Sequence, residues 1–272
     1  MSEAAGDQRW DPDLNIDISV AHPARVYDYW LGGKDNFAAD RIAGDRVLAV
    51  TPGLRYRVRA NRAFLGRTVR YLAAEAGVRQ FLDLGTGIPS ADNTHEVAQR
   101  VAPQARVVYA DNDPIVLRHA QALLRSAPGG VTTYIEADLR DPQPILRQAA
   151  ATLDFRQPVA VIMVDLLNFI EDDAAIRSIM AEFVAAVPSG SYFAIMHPAS
   201  DLDPALPEAE KRWNQLAPQH VRLRSRSDLA GLLAGLELVE PGLVTVPEWR
   251  PDEGDPVPAE LIPLYAVVAR KP

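Results

Sequence analysis

Apolar and polar positions along this chain follow two periods, and the switches between them predict its elements. From about residue 79 onward, apolar runs of strand length recur at Arg79–Leu84, Arg106–Ala110, Val131–Glu136, Val159–Val164 and Gly190–Met196. Between them, apolar residues fall at helical spacing over Asp92–Val101, Pro114–Ser126, Pro144–Ala151 and Asp173–Val187. Nearly continuous apolar strands are those covered on both faces, and strict strand–helix alternation specifies a parallel sheet between two helical layers. After the fifth strand the helical period returns over Ala205–Ala217 and Ser227–Ala234. Two last strands follow, Leu236–Val246 and Leu264–Arg270. The segment joining them has no helical period, so the final strand is expected to be antiparallel.

The first 77 residues carry a different pattern. Residues 1–16 are polar, without a period, and read as a flexible tail. A short aromatic helix is expected within Ile18–Asn36, stopped by Gly32 and Gly33. A second covers Phe37–Val50 and a third Tyr56–Ala76, with Ala60, Phe64, Leu65, Val69 and Leu72 near helical spacing. This block (17–77) is read as a helical cap over the core (78–272) of one domain. The expected fold is α/β: a doubly wound, Rossmann-like sheet, mostly parallel with its last strand antiparallel, under an N-terminal helical cap.

In such sheets ligands bind at the carboxyl ends of the strands. The first strand ends in Asp83-Leu84-Gly85-Thr86-Gly87, where two glycines permit a tight turn and close approach of the backbone to a ligand. The second ends in Asp111 and Asn112; Asp111 stands 24 residues beyond Gly87, where a carboxylate accepts ribose hydroxyls. Asp113 is read as the cap of the next helix. The third strand is followed by Asp138 and Leu139, an acid for an adenine amino group beside an apolar wall. Any one of these is an ordinary turn feature; three acids after three successive strands indicate a nucleoside site. The dinucleotide pattern Gly-x-Gly-x-x-Gly has an apolar residue two positions before its first glycine. Here that position holds Asp83, and Ser90 occupies the third glycine's place, which favours S-adenosyl-L-methionine (SAM) over NAD.

At these residues the chain resembles the class I SAM-dependent methyltransferases, whose first motif is acid-x-Gly-x-Gly-x-Gly. Pro89 stands in place of the last glycine. It is more closely similar to an actinobacterial family of SAM-dependent methyltransferases, formerly of unknown function and without an established substrate. The likeness rests on His22–Phe37, the glycine motif, Tyr109–Pro114 and Tyr265–Lys271. It implies the methyltransferase sheet and SAM, with S-adenosyl-L-homocysteine as product. In such a family the N-terminal segment is expected to fold over the cofactor. Arg25 would then pair with the methionine carboxylate, Tyr29 or Trp30 shield the sulfonium, Gly32 and Gly33 admit the backbone, and Asn36 hydrogen-bond the ligand.

Methyl transfer needs alignment, exclusion of water and, for a protonated acceptor, a base. Candidates at the strand ends are His197, Asn168 and Asp165, with His22 in the cap; His95, His119 and His220 lie on helical patterns and are expected at the surface. No His/Asp/Glu cluster has metal spacing.

Bulk properties then narrow the setting. The chain has 272 residues, no cysteine and a net charge of −8. The lack of cysteine excludes disulfides and thiolate chemistry, and the charge argues against a surface built to neutralise a phosphate backbone, local basic patches aside. The basic stretch Arg55–Arg62 is read as a solvated or ion-paired helix face. No apolar run approaches the roughly 20 residues of a membrane span. The expectation is a cytoplasmic enzyme with a small-molecule acceptor and no nucleic-acid partner. Competing readings are an NAD-linked oxidoreductase and a non-catalytic SAM-binding protein.

Overall fold

In a computed structural model of the chain, residues 10–11, 16–49, 51, 53–90, 92–123, 126–216, 219–253 and 261–272 are described. Most of the expected tail, the expected loop's Gly254–Pro256 and the helix end at 124–125 lie outside the described residues. Trp10–Asp11 pairs antiparallel with Ile16–Asp17, a short bridge inside the segment expected to be a flexible tail.

Three helices come first: α1 (Pro23–Leu31), α2 (Ala38–Leu48) and α3 (Leu54–Ala74). Strands and helices then alternate through β1 (Gln80–Leu84), α4 (Thr94–Val101), β2 (Arg106–Asp111), α5 (Pro114–Leu123), β3 (Val131–Glu136), α6 (Pro142–Ala149), β4 (Ala160–Val164), α7 (Asp173–Ala186) and β5 (Tyr192–Pro198). The chain ends with α8 (Leu206–Leu216), α9 (Arg226–Leu232), β6 (Glu237–Leu238), β7 (Val244–Thr245) and β8 (Leu264–Arg270). The boundaries follow local chemistry. A reciprocal capping box, in which Glu96 accepts from the Asn93 N–H, starts α4 at Thr94, two residues after the expected Asp92.

The sheet order is β3-β2-β1-β4-β5-β8-β6, with β7 also on β8. β1 to β5 are parallel, and β8 runs antiparallel to β5 in continuous register from Leu264↔Pro198 to Arg270↔Tyr192. The strand expected over Leu236–Val246 is interrupted. β6 faces Ala269 and Arg270 while β7 faces Tyr265 and Ala266, so the two halves lie end to end along one edge of β8. Pro241 lies in the gap, and a residue without an N–H cannot continue a ladder.

Alternate residues of the strands feed opposite faces. Leu82, Val108, Val161 and Ile195 share a buried cluster with Ile145, Met180 and Phe183 of α6 and α7. Phe81, Val107, Ile162 and Ala194 share another with Phe64, Val69 and Leu72 of α3 and with Trp249. The C-terminal half of α3 therefore belongs to a helical layer of the sheet. Its N-terminal half joins α1, α2 and Trp213 of α8 in a separate cluster above the strand ends. Among the described residues, no helix is long and apolar enough to cross a membrane.

Candidate functional site

The three strand-end acids come together at one cavity of about 260 Å³. Gly85 and Gly87 both have φ +66, a left-handed conformation that glycine adopts at little cost. A Cβ on Gly85 would lie 2.5 Å from Leu166 Cδ1, whereas one on Gly87 would meet nothing within 4 Å. Gly87 lines the cavity, so its missing side chain leaves open the space beside the turn. Thr86 folds back, its hydroxyl donating to the Asp83 carbonyl at 3.3 Å.

Asp111 holds this turn to the next. Its Oδ2 accepts the Gly87 N–H and its Oδ1 the Asp113 N–H, each at 2.9 Å. Burial pushes the Asp111 carboxyl up, against the pull of those two N–H groups. Asp83 is buried and accepts the Thr94 hydroxyl at 2.6 Å; burial raises its carboxyl to about 6. Asp138 is more open, accepting the Arg140 N–H at 2.8 Å and its guanidinium at 2.9 Å. Asn112 Nδ2 lies 3.5 Å from Asp138 Oδ2, and the buried Leu139 supplies an apolar wall. Asp113 occupies the capping position, accepting the Ile115 N–H at 3.0 Å.

Beyond β4 the cavity continues under the helices. Asp165, the first residue after β4, has φ 55, an uncommon backbone state for a residue with a side chain. Enclosure by protein raises its carboxyl to about 6, and Asn61 of α3 donates to it at 3.4 Å. Asn168 also lines the cavity. One face of α3 does so through Leu54, Arg57, Val58, Asn61, Arg62 and Leu65, spaced as a single helical stripe. The basic stretch thus divides: Arg55 and Arg59 are exposed, while Arg57 and Arg62 face the cavity. Tyr27 and Trp30 of α1 complete that side, with Glu210 and Trp213 of α8 opposite the strand ends. The sequence reading did not single out Asn61 or Glu210. The available signal was a set of polar residues interrupting otherwise apolar helix faces.

Several expected residues lie elsewhere. Arg25 does not line the cavity; it donates to the Val20 carbonyl at 2.8 Å and lies 3.5 Å from Asp40, clamping α1 to α2. Tyr29 points away, its hydroxyl donating to Asp45 at 2.6 Å. Gly32, Gly33 and Asn36 form the turn that ends α1, folded around Asp28, which accepts from Asn36 Nδ2 at 2.8 Å. A Cβ on Gly33 would collide with that carboxylate. Of the expected pair, Trp30 and not Tyr29 reaches the cavity.

His197 is a correction of another kind. It is fully buried behind the strand end and is not in the cavity wall. Its Nδ1–H donates to the Pro198 carbonyl at 2.8 Å, leaving Nε2 to accept from Arg224 at 3.2 Å. Burial lowers its pKa to about 4, so it is a neutral structural bridge near neutral pH. His95 is likewise buried, its N–H donating to the Tyr109 hydroxyl at 2.8 Å, against the expected surface position. His22 does line the cavity, and its Nδ1 lies 2.9 Å from Asp113 Oδ2.

Residues 9–272 match the sequence pattern of the S-adenosyl methyltransferase family. The chain belongs to that family. This methyltransferase is 44% identical to a DUF574 family protein from Streptomyces avermitilis, with a TM-score of 0.89 over 94% of this chain and 99% of that one. A candidate methyltransferase from Thermobifida fusca is 40% identical, with a TM-score of 0.87 over 96% of this chain and 97% of that one. Human N-acetylserotonin methyltransferase in complex with SAM is 15% identical, with a TM-score of 0.50 over 93% of this chain and 63% of that one; this likeness is of fold alone. Among curated proteins none matches the chain. Membership makes SAM the methyl donor, in agreement with the acid-x-Gly-x-Gly turn, and sets the NAD-linked reading aside.

Proposed function

We propose that this methyltransferase acts on a small molecule enclosed between the strand ends and helices α1, α3 and α8. The observation that carries the reading is the single continuous cavity. One end is walled by Asp83, Gly85, Gly87, Asp111, Asp138 and Leu139, the other by Tyr27, Trp30, Asn61, Asp165, Asn168 and Trp213. The non-catalytic alternative needs a cavity that stops at the cofactor, and this one continues past β4. A cytoplasmic setting belongs to the same proposal.

The chemistry of the first wall fits SAM. Asp111 is placed to accept ribose hydroxyls while keeping its two N–H partners, Asp138 and Leu139 flank an adenine position, and Gly87 leaves the needed space. SAM supplies a methyl group on a sulfonium that is already activated. The chain aligns the acceptor and excludes water. Asp165 takes the acceptor's proton: its raised affinity for a proton, its strained backbone and its Asn61 partner suit a base held at a cavity wall. Asn168 orients the acceptor beside it.

Calorimetric titration with SAM, S-adenosyl-L-homocysteine and NADH tests the cofactor end. Micromolar binding of the first two, with no NADH response, is expected. In Asp111→Ala the SAM affinity should fall by about tenfold to a hundredfold, the loss of one or two charge-assisted hydrogen bonds. Unchanged affinity in that variant would remove Asp111 from the site.

A further inference from the structure

One corner of the cavity lies beyond Asp165 and has no part in holding the cofactor in the reading above. On one side α8 presents Glu210 and Trp213, three residues apart and hence on one face. On the other, the short 3-10 turn Leu167–Phe169 presents Asn168 and Phe169. The segment at 221–224 ties the two sides together. Its Arg222 N–H donates to the Asn168 backbone carbonyl at 2.7 Å, and its Leu223 N–H donates to Glu210 Oε1 at 3.3 Å. Ring centroids of Phe169 and Trp213 are 6.5 Å apart, and those of Trp213 and Trp30 are 5.8 Å apart. Three packed aromatic rings thus line the same cavity as one carboxylate and one amide.

The buried polar atoms without a hydrogen bond at this end include two amide oxygens, beside the Nε of Arg57, whose guanidinium is held by Asp203. Asn168 is 4% exposed and Asn61 2% exposed, both line the cavity, and the Oδ1 of each is buried without a hydrogen-bond partner. The orientation of Asn61 is set by its N–H donation to Asp165, so its oxygen is the atom that remains. A buried carbonyl oxygen lacking a donor is costly, and a ligand N–H meets that need. The neighbouring cations are already engaged. Arg222 and Arg224 share Asp173 at 3.7 and 2.9 Å, and Arg57 pairs with Asp203 at 3.2 Å. Asp173 holds Arg222 and Arg224, and Glu171 lies 3.3 Å from His220; burial pushes the Glu210 carboxyl up, against the pull of the Leu223 N–H and of the two guanidiniums. An anion brought here would meet a carboxylate and an amide oxygen.

We propose that the methyl acceptor is a planar aromatic or heteroaromatic molecule bearing a protonated amine, its ring held among Trp30, Phe169 and Trp213 and its N–H groups directed to Glu210 and Asn168 Oδ1. This rests on reading the cavity as the methyl-transfer site. A desolvated ammonium needs a carboxylate partner, and tryptophan faces add attraction for a cation.

The test keeps the ring constant and changes the head group. Protein saturated with S-adenosyl-L-homocysteine is titrated calorimetrically with tryptamine, 3-ethylindole and indole-3-propionate. Tryptamine is expected to bind about tenfold or more tighter than either of the others, the usual gain from a charge-assisted hydrogen bond. Glu210→Gln, which retains an oxygen for the Leu223 N–H, should erase that preference without changing S-adenosyl-L-homocysteine affinity. Asn168→Asp should enlarge it, a gain that misfolding cannot produce. Equal or tighter binding of indole-3-propionate, a preference unmoved in Glu210→Gln, or no binding by any of the three overturns the assignment. Loss of S-adenosyl-L-homocysteine affinity in Glu210→Gln would place the corner at the cofactor and overturn it as well. Failure of the unmodified protein to bind S-adenosyl-L-homocysteine at all would instead refute the cofactor reading.

Discussion

Two side chains at strand ends show how position decides chemistry. Asp165 follows β4 and His197 is the penultimate residue of the adjacent β5, and both were candidates for proton transfer. The chain turns Asp165 toward the cavity through its left-handed backbone, whereas His197 is sealed between Pro198 and Arg224. Burial raises the Asp165 carboxyl from 3.8 to about 6, so its ionisation opposes folding: stability declines as pH rises from about 4 to about 6. Asp165→Asn should therefore melt higher than the parent above pH 6, by about 1 kcal/mol, with the difference vanishing near pH 4. Asp83 is shifted in the same direction, so the variant's slope should shrink without disappearing. Methyl transfer by that variant should fall about a hundredfold or more, and the parent's rate should drop below about pH 6. His197 has the opposite sign. Its pKa is lowered from 6.5 to about 4, so it takes up a proton on unfolding and costs stability as pH falls through that window. His197→Ala should lose about 2 kcal/mol in denaturant unfolding while leaving SAM affinity intact. Abolished transfer with unchanged stability would return His197 to the list of bases. No feature of the sequence separates these two residues, because the direction of a side chain at a strand end depends on what packs around it.

Among the elements, α3 and α8 were the hardest to read. Leu264–Arg270 emerged at its expected bounds because an apolar run fixes a buried strand by itself, and Val131–Glu136, half-buried at the sheet edge, because its residues are rich in β-branched and aromatic types. The glycine turn was equally legible, since only glycine tolerates its backbone. A helix face lining a cavity looks in sequence like a core face with polar errors, as with Asn61 in α3 and Glu210 in α8. The edge strand Leu236–Val246 failed for a different reason: its apolar pattern persists across Pro241, but the ladder does not. The aromatic contacts of Trp213 explain how α8 is held. Truncation in Trp213→Ala removes its packing on Trp30 and Phe169, and a loss of about 3–4 kcal/mol is expected by denaturant unfolding. The same variant should keep the cofactor's binding enthalpy close to that of the parent, because Trp213 is not among the residues proposed to hold the cofactor.

For the whole molecule, the strand–helix alternation was enough to give a mostly parallel sheet with a reversed last strand, while the order β3-β2-β1-β4-β5-β8-β6 came from the structure. The layering of the first 77 residues was not legible either, because periodicity identifies a helix but not the surface it will cover. The N-terminal helices meet the core beside the nucleoside loop. His22 caps α1, lines the cavity and lies 2.9 Å from Asp113, two residues after Asp111. Burial pushes the Asp113 carboxyl up, but His22, the Ile115 N–H and Arg25 together hold it below its usual range. His22→Ala should weaken SAM by about threefold to tenfold, measured by calorimetry, although His22 is not among the residues proposed to hold the cofactor. Local opening of α1 breaks the His22–Asp113 contact, so opening of α1 and occupancy of the proposed nucleoside loop are linked. Whatever factor bound cofactor lends to intact α1, intact α1 must return to the cofactor, since coupling between two equilibria is reciprocal. Hydrogen exchange of the α1 amides is then a gauge of occupancy at the far end of the cavity, readable before any acceptor is known.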